Sequence, residues 1–180
     1  MNHPKKSLCC FIAILTTCVS SAYSEESLEN DKMLDASSKQ TEKLEVGSSL
    51  VGYRDTLVFY TFKKQKAVLR VLIDNKSKKF PVAAQLYVFE DSVSEDGLKK
   101  WLNNQHSDGL FPDVPEPVAT HKIPADSCNL KSQKLIDHSK ESFGEYDNYS
   151  VTFKISGVKE IGDFSIKDFT DKATVHLKTE

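Results

Sequence analysis

Trp101, Asn103, Asn104, His106, Asp108, Phe111, Asp113 and Glu116 place the densest side-chain chemistry of the chain within sixteen residues. Pro112, Pro115 and Pro117, with the Asp108-Gly109 pair, stiffen this stretch into an extended loop that loses little entropy on binding. Aromatic rings beside carboxylates and an imidazole suit contacts to a sugar or a protein. Trp101, His106, Asp108, Phe111 and Asp113 are therefore the candidate binding residues, for an unidentified protein or carbohydrate. The competing role for Trp101 and Phe111 is to cap one end of a hydrophobic core.

Other chemistries find less support in the residue types. Asn104-x-His106-x-Asp108-Gly109 imitates the opening of a calcium loop, but Pro115 stands where the bidentate glutamate of such a loop belongs. His106, His121 and His138 are too scattered to suggest a zinc site. No metal and no cofactor is expected. There is no Gly-x-Ser-x-Gly elbow, no Ser-x-x-Lys, no His-Glu-x-x-His and no glycine-rich phosphate loop. Cys128, in Ala125-Asp126-Ser127-Cys128-Asn129, lacks the local signature of a thiol nucleophile and reads as an inert or partly buried turn residue.

Compartment follows from the N-terminus. Lys5 and Lys6 precede an apolar run from Leu8 to Val19 and the small residues Ser20, Ser21 and Ala22, the layout of a signal peptide over residues 1–24. The run is too short to span a bilayer as a helix. Cleavage after Ala22 or Ser24 yields a secreted or periplasmic protein without a transmembrane segment. Leu15-Thr16-Thr17-Cys18 offers the alternative of a lipoprotein anchored through Cys18, although Thr17 replaces the usual small residue. Removal of the segment takes away three of the four cysteines and leaves Cys128 with no partner in its own chain. The formal charge of −2 becomes two units more negative, which gives no footing for nucleic acid.

Residues 25–44 carry nine charges and no aromatic residue, Gly or Pro, and read as a polar, disordered tether. From residue 45 to residue 180 a single domain is expected. Its period is two: Tyr149-Val151-Phe153-Ile155 and Ala173-Val175-Leu177 alternate with polar residues, as strands with one wet face do. Leu57–Phe62, Val68–Asp74 and Val82–Phe89 are apolar on both parities and read as central strands. Val118–Ile123, Leu130–Ile136 and Ile161–Ile166 are weaker candidates. Lys63–Lys66 and Asn75–Lys79 are short polar joins, as antiparallel hairpins require. One short helix is expected, opened by Ser92 and Glu95 as a capping box, with Leu98, Trp101 and Leu102 on one face.

The predicted fold is mainly β: an antiparallel β-sandwich of immunoglobulin-like or jelly-roll type, with about seven to eight strands and one short helix. Tyr149 resembles the tyrosine corner of immunoglobulin-like domains, while the Cys and Trp spacing of antibody domains is absent. Function follows as an exported, non-catalytic binding or assembly module. The alternatives are a small secreted hydrolase or sugar-active enzyme whose acid pair meets only in space, and a barrel carrying an apolar ligand. Asn75-Lys76-Ser77 and Asn148-Tyr149-Ser150 match the glycosylation sequon.

Overall fold

The computed structural model of the chain describes residues 32–46, 55–105, 113–142 and 144–179, and these residues form eleven strands and one α-helix. The segment expected to be a signal peptide, its expected cleavage sites and Cys18 lie outside the described residues. The strands are β1 (Met33–Leu34), β2 (Thr41–Val46), β3 (Asp55–Phe62), β4 (Ala67–Asp74), β5 (Val82–Val88), β6 (Ala119–Lys122), β7 (Cys128–Glu141), β8 (Gly144–Ile155), β9 (Val158–Ile161), β10 (Phe164–Ile166) and β11 (Phe169–Thr179). The helix α1 (Glu95–Asn104) joins β5 to β6.

They form three sheets, ordered β2-β3-β4-β5-β6, β11-β8-β7 and β1-β10-β9. All pairings are antiparallel except the short parallel contact of β1 with β10. None of the sheets closes on itself among the described residues, so the barrel expected of an apolar-ligand carrier is absent. Tyr60, Leu69, Ile73 and Leu86 of the five-stranded sheet share one buried core with Val151, Phe153, Ile155 and Val175 of the β11-β8-β7 sheet. Polar bridges reinforce the contact. Tyr60 donates to Asp171 at 2.7 Å, Asn75 donates to the carbonyl of His176 at 2.8 Å and Lys43 donates to the carbonyl of Lys172 at 2.7 Å.

The tether reading fails over residues 32–44. Leu34 is fully buried, and Lys167 N–H donates to its carbonyl at 3.0 Å. β2 is polar because it is an edge strand, whose charges meet partners across the surface: Glu42 pairs with Lys63 at 2.7 Å and Lys43 with Asp171 at 2.8 Å. Charge density alone does not separate a solvated edge from a disordered tether. A second correction concerns Ile161–Ile166, expected as one strand. Gly162, at φ +60°, turns the chain between β9 and β10. A Cβ placed on it would lie 2.6 Å from Nε2 of His121, so any side chain there would also push the His121 ring aside.

The helix cap is displaced too. Ser94, and not Ser92, accepts from Gly97 N–H at 3.1 Å, while Ser92 bonds to Glu90 at 3.3 Å. The helix runs on to Asn104, which leaves Lys99 and Lys100 in its middle and no basic residue in its last turn.

Candidate binding surfaces

The apolar face of α1 lies on the outer face of the five-stranded sheet. Leu98, Trp101 and Leu102 pack with Phe59, Val68 and Phe89 in a second core, separate from the one between the sheets. The Trp101 ring meets Tyr87 at 4.7 Å, Phe89 at 5.3 Å and Phe59 at 6.5 Å between centroids, and only 4% of the residue is exposed. It is a core residue and is not presented to a partner, so it leaves the predicted binding set. The three i, i+3, i+4 positions that suggested a helix were already the signature of a buried face.

His106, Asp108 and Phe111 lie outside the described residues. Asp113 is exposed, with φ +65°, and borders a shallow depression of about 430 Å³ with Ser94, Asp96, Lys100 and Pro115. The structure therefore brings only Asp113 of the five predicted residues to a described surface.

A cleft of about 780 Å³ lies where the β3–β4 turn meets the start of β2 and carries Asp35, Glu42, Lys63 and Glu95. These four charges are already paired. Lys63 reaches Glu42 at 2.7 Å and Glu95 at 3.2 Å, which raises the Lys63 ammonium through hydrogen bonds to both acids and lowers the Glu42 carboxyl. Asp35 is also lowered, chiefly by its hydrogen bond from Ser37, with Lys167 adding to the effect. A general acid needs the opposite shift.

On the other sheet, β7 is an edge strand, paired among the described residues with β8 alone. Residues 131–138 are exposed on both faces of the strand, including the apolar Leu135 (39%) and Ile136 (53%). Bulges interrupt its register between Leu130 and Ser132 and between Leu135 and Asp137, and Ile136 sits in the second. Beside this stretch β8 supplies two polar networks. Asp147, 6% exposed, meets Nδ1 of His138 at 2.6 Å and Nζ of Lys78 at 3.6 Å. Asn148 donates to Asp137 at 2.5 Å and Ser139 at 3.1 Å, and its oxygen meets Nδ1 of His176 at 2.5 Å.

Both sequon asparagines make internal hydrogen bonds. The amide nitrogens of Asn75 and Asn148, which a glycan would occupy, already donate to His176 and to Asp137 and Ser139. Cys128 opens β7 instead of sitting in a turn and is 9% exposed; burial pushes its thiol up, away from the reactive thiolate. The described residues contain no group of three His, Cys, Asp or Glu positioned for a metal ion, and no helix among them is long and apolar enough to cross a membrane.

The exposed β7 edge could not be read from its sequence. Leu130-Lys131-Ser132-Gln133-Lys134-Leu135-Ile136 has no strict alternation, and that irregularity was the one available signal that neither face is covered along most of the strand. Together these features define a mainly β protein with open, antiparallel sheets. Comparison with protein-family models, with curated proteins and with solved structures finds no match to the chain.

Proposed function

We propose that the chain is an exported, non-catalytic β-sandwich that binds a partner protein by strand addition at β7. The observation that carries this reading is the 14-residue length of β7, paired on one side only and exposed on both faces from residue 131 to residue 138. A free edge offers a row of backbone donors and acceptors to an incoming strand, and alternate side chains supply selectivity. Leu135 and Ile136 add apolar area at its centre. Lys131 and Lys134 set like charges against each other when two copies align, which favours a different protein over self-pairing.

The sandwich arrangement is supported by the core shared between the two larger sheets and by the bridges from β2 and β3 to β11. Export is supported by the succession of charged, apolar and small residues at the N-terminus. A binding role over an enzymatic one is supported by the downward-shifted, paired carboxylates Asp35 and Glu42 of the cleft beside the β3–β4 turn.

A photo-crosslinking amino acid placed at Ile136 or Lys134, in the cells that export the protein, tests the reading. The expected result is one discrete adduct from both positions and none from the exposed control Glu160 on β9. An adduct from Asp113 with none from β7 would return the site to the helix-following loop.

A further inference from the structure

Arg70 stands on the face of the five-stranded sheet that also carries α1. Register sets it beside Phe59 on β3 and Gln85 on β5, and Gln85 in turn beside Lys122 on β6. Its guanidinium is half-buried and held in place from two sides. One nitrogen donates to Oε1 of Gln85, the same oxygen accepts from the Tyr87 hydroxyl at 2.8 Å, and the guanidinium carbon lies 5.2 Å from the centre of the Tyr87 ring.

What the guanidinium lacks is an anion. Among the described residues every ion pair uses a lysine or a histidine, and neither Arg70 nor Lys122 has a carboxylate partner. Exposed lysines such as Lys99, Lys100, Lys131 and Lys159 also have no ion pair among the described residues, but Arg70 differs from them in being half-buried and held in one orientation by Gln85 and Tyr87. A fixed, partly desolvated charge without a counter-ion is costly to keep unless something supplies the counter-ion.

Arg70 and Lys122 border one groove of about 320 Å³, whose apolar part comes from Leu72, Ala83 and Ile123. The groove reaches β6, an edge strand of this sheet that has β5 as its one neighbour among the described residues. We propose that this groove binds an acidic segment of a partner protein, with a glutamate or aspartate carboxylate on Arg70 and Lys122 and an adjoining apolar side chain over Leu72 and Ala83. Arginine fits the role because its planar fork takes both carboxylate oxygens, and Gln85 and Tyr87 hold that fork in one orientation before the ligand arrives. The groove is distinct from the β7 edge, and each proposal stands without the other.

The test uses the whole exported chain, isotopically labelled, and two capped peptides, Ac-Val-Glu-Val-Glu-NH2 and Ac-Val-Gln-Val-Gln-NH2. The glutamate peptide is expected to shift the amide signals of Ala83, Gln85 and Lys122 and the Arg70 Nε signal. The glutamine peptide is expected to bind at least roughly tenfold more weakly. Arg70→Gln should weaken the glutamate peptide by roughly tenfold or more, and Arg70→Lys, which keeps the charge and loses the fork, by an intermediate factor. A thermal melt of each variant checks that it folds; if Arg70→Gln does not, Lys122→Gln, at an exposed position, carries the same comparison. Equal affinity for the two peptides, shifts that map elsewhere, or unchanged affinity in the variants overturns the proposal. Tighter binding of hexanoate than of the glutamate peptide overturns the assignment to a protein partner.

Discussion

Trp101→Ala separates the structural account of α1 from the view of this residue as a recognition residue. A tryptophan buries about 200 Å² on folding, and at about 25 cal/mol per Å² its removal forfeits up to about 5 kcal/mol. The extended-chain reference makes that an upper bound, and the mutational range for deleting a large buried side chain, about 3 to 5 kcal/mol, agrees with it. The upper half of that range is expected here. Tyr87, Phe89 and Phe59 all lose a ring partner, and the hole opens between a helix and a sheet that cannot both close over it. For a domain of this size each kcal/mol moves the melting temperature by about 3 to 4 °C, so a drop of about 12 to 20 °C follows. Urea titration read by far-ultraviolet circular dichroism measures the loss. Trp101 is the only tryptophan, so its emission in the native protein reports its own burial: a blue-shifted band resistant to acrylamide is expected. Red-shifted, readily quenched emission together with a cost below about 1 kcal/mol would refute the packing argument and restore Trp101 to the surface.

Four further outcomes follow from the same geometry. Gly162→Ala should cost about 1 to 3 kcal/mol by chemical denaturation, because it combines a left-handed φ with a collision against His121. Burial opposes ionisation of Asp171, but hydrogen bonds from Lys43 and Tyr60 outweigh it and hold the carboxyl below its ordinary value. That stabilisation is present above the carboxyl pKa of the unfolded chain and is lost as pH falls through the lower folded value. Asp171→Asn should therefore cost about 1 kcal/mol near neutrality, discounted for a side chain about a third exposed, and the gap to the native protein should close in acid melts. Cys128→Ser should keep the fold, and the native thiol should react slowly with iodoacetamide at neutral pH and rapidly in denaturant; a dimer on a nonreducing gel would contradict this. Tyr60→Phe should cost about 1 kcal/mol, since it strips a buried donor from Asp171, and the acid dependence of that cost should follow the Asp171→Asn series.

Where the sequence and the structure part company, the missing information lies in spatial coverage. Tyr149, Val151, Phe153 and Ile155 alternate because one continuous neighbour covers them, so their strand was legible residue by residue. β2 shows no such pattern, because its partner surface is a set of single polar groups, Lys63, Asp171 and the backbone N–H of Thr174, scattered over the β3–β4 turn and β11. Nothing local distinguishes Glu42-Lys43-Leu44-Glu45 with those partners from the same residues in water. The candidate sites divide in the same way. The residues of 101–116 drew notice because they are crowded in sequence, yet Trp101 owes its type to Phe59, Tyr87 and Phe89, residues 12 to 42 positions away. Arg70 and Lys122 are 52 positions apart and drew none. They meet because two strand registers carry Arg70 to Gln85 and Gln85 to Lys122. What gives that pair meaning, the lack of an acid within reach, is a property of the whole folded surface. A sequence displays the charges a protein has, but only the fold shows which of them still lack a counter-ion, and an unmatched charge held rigidly in place is where a partner can contribute most.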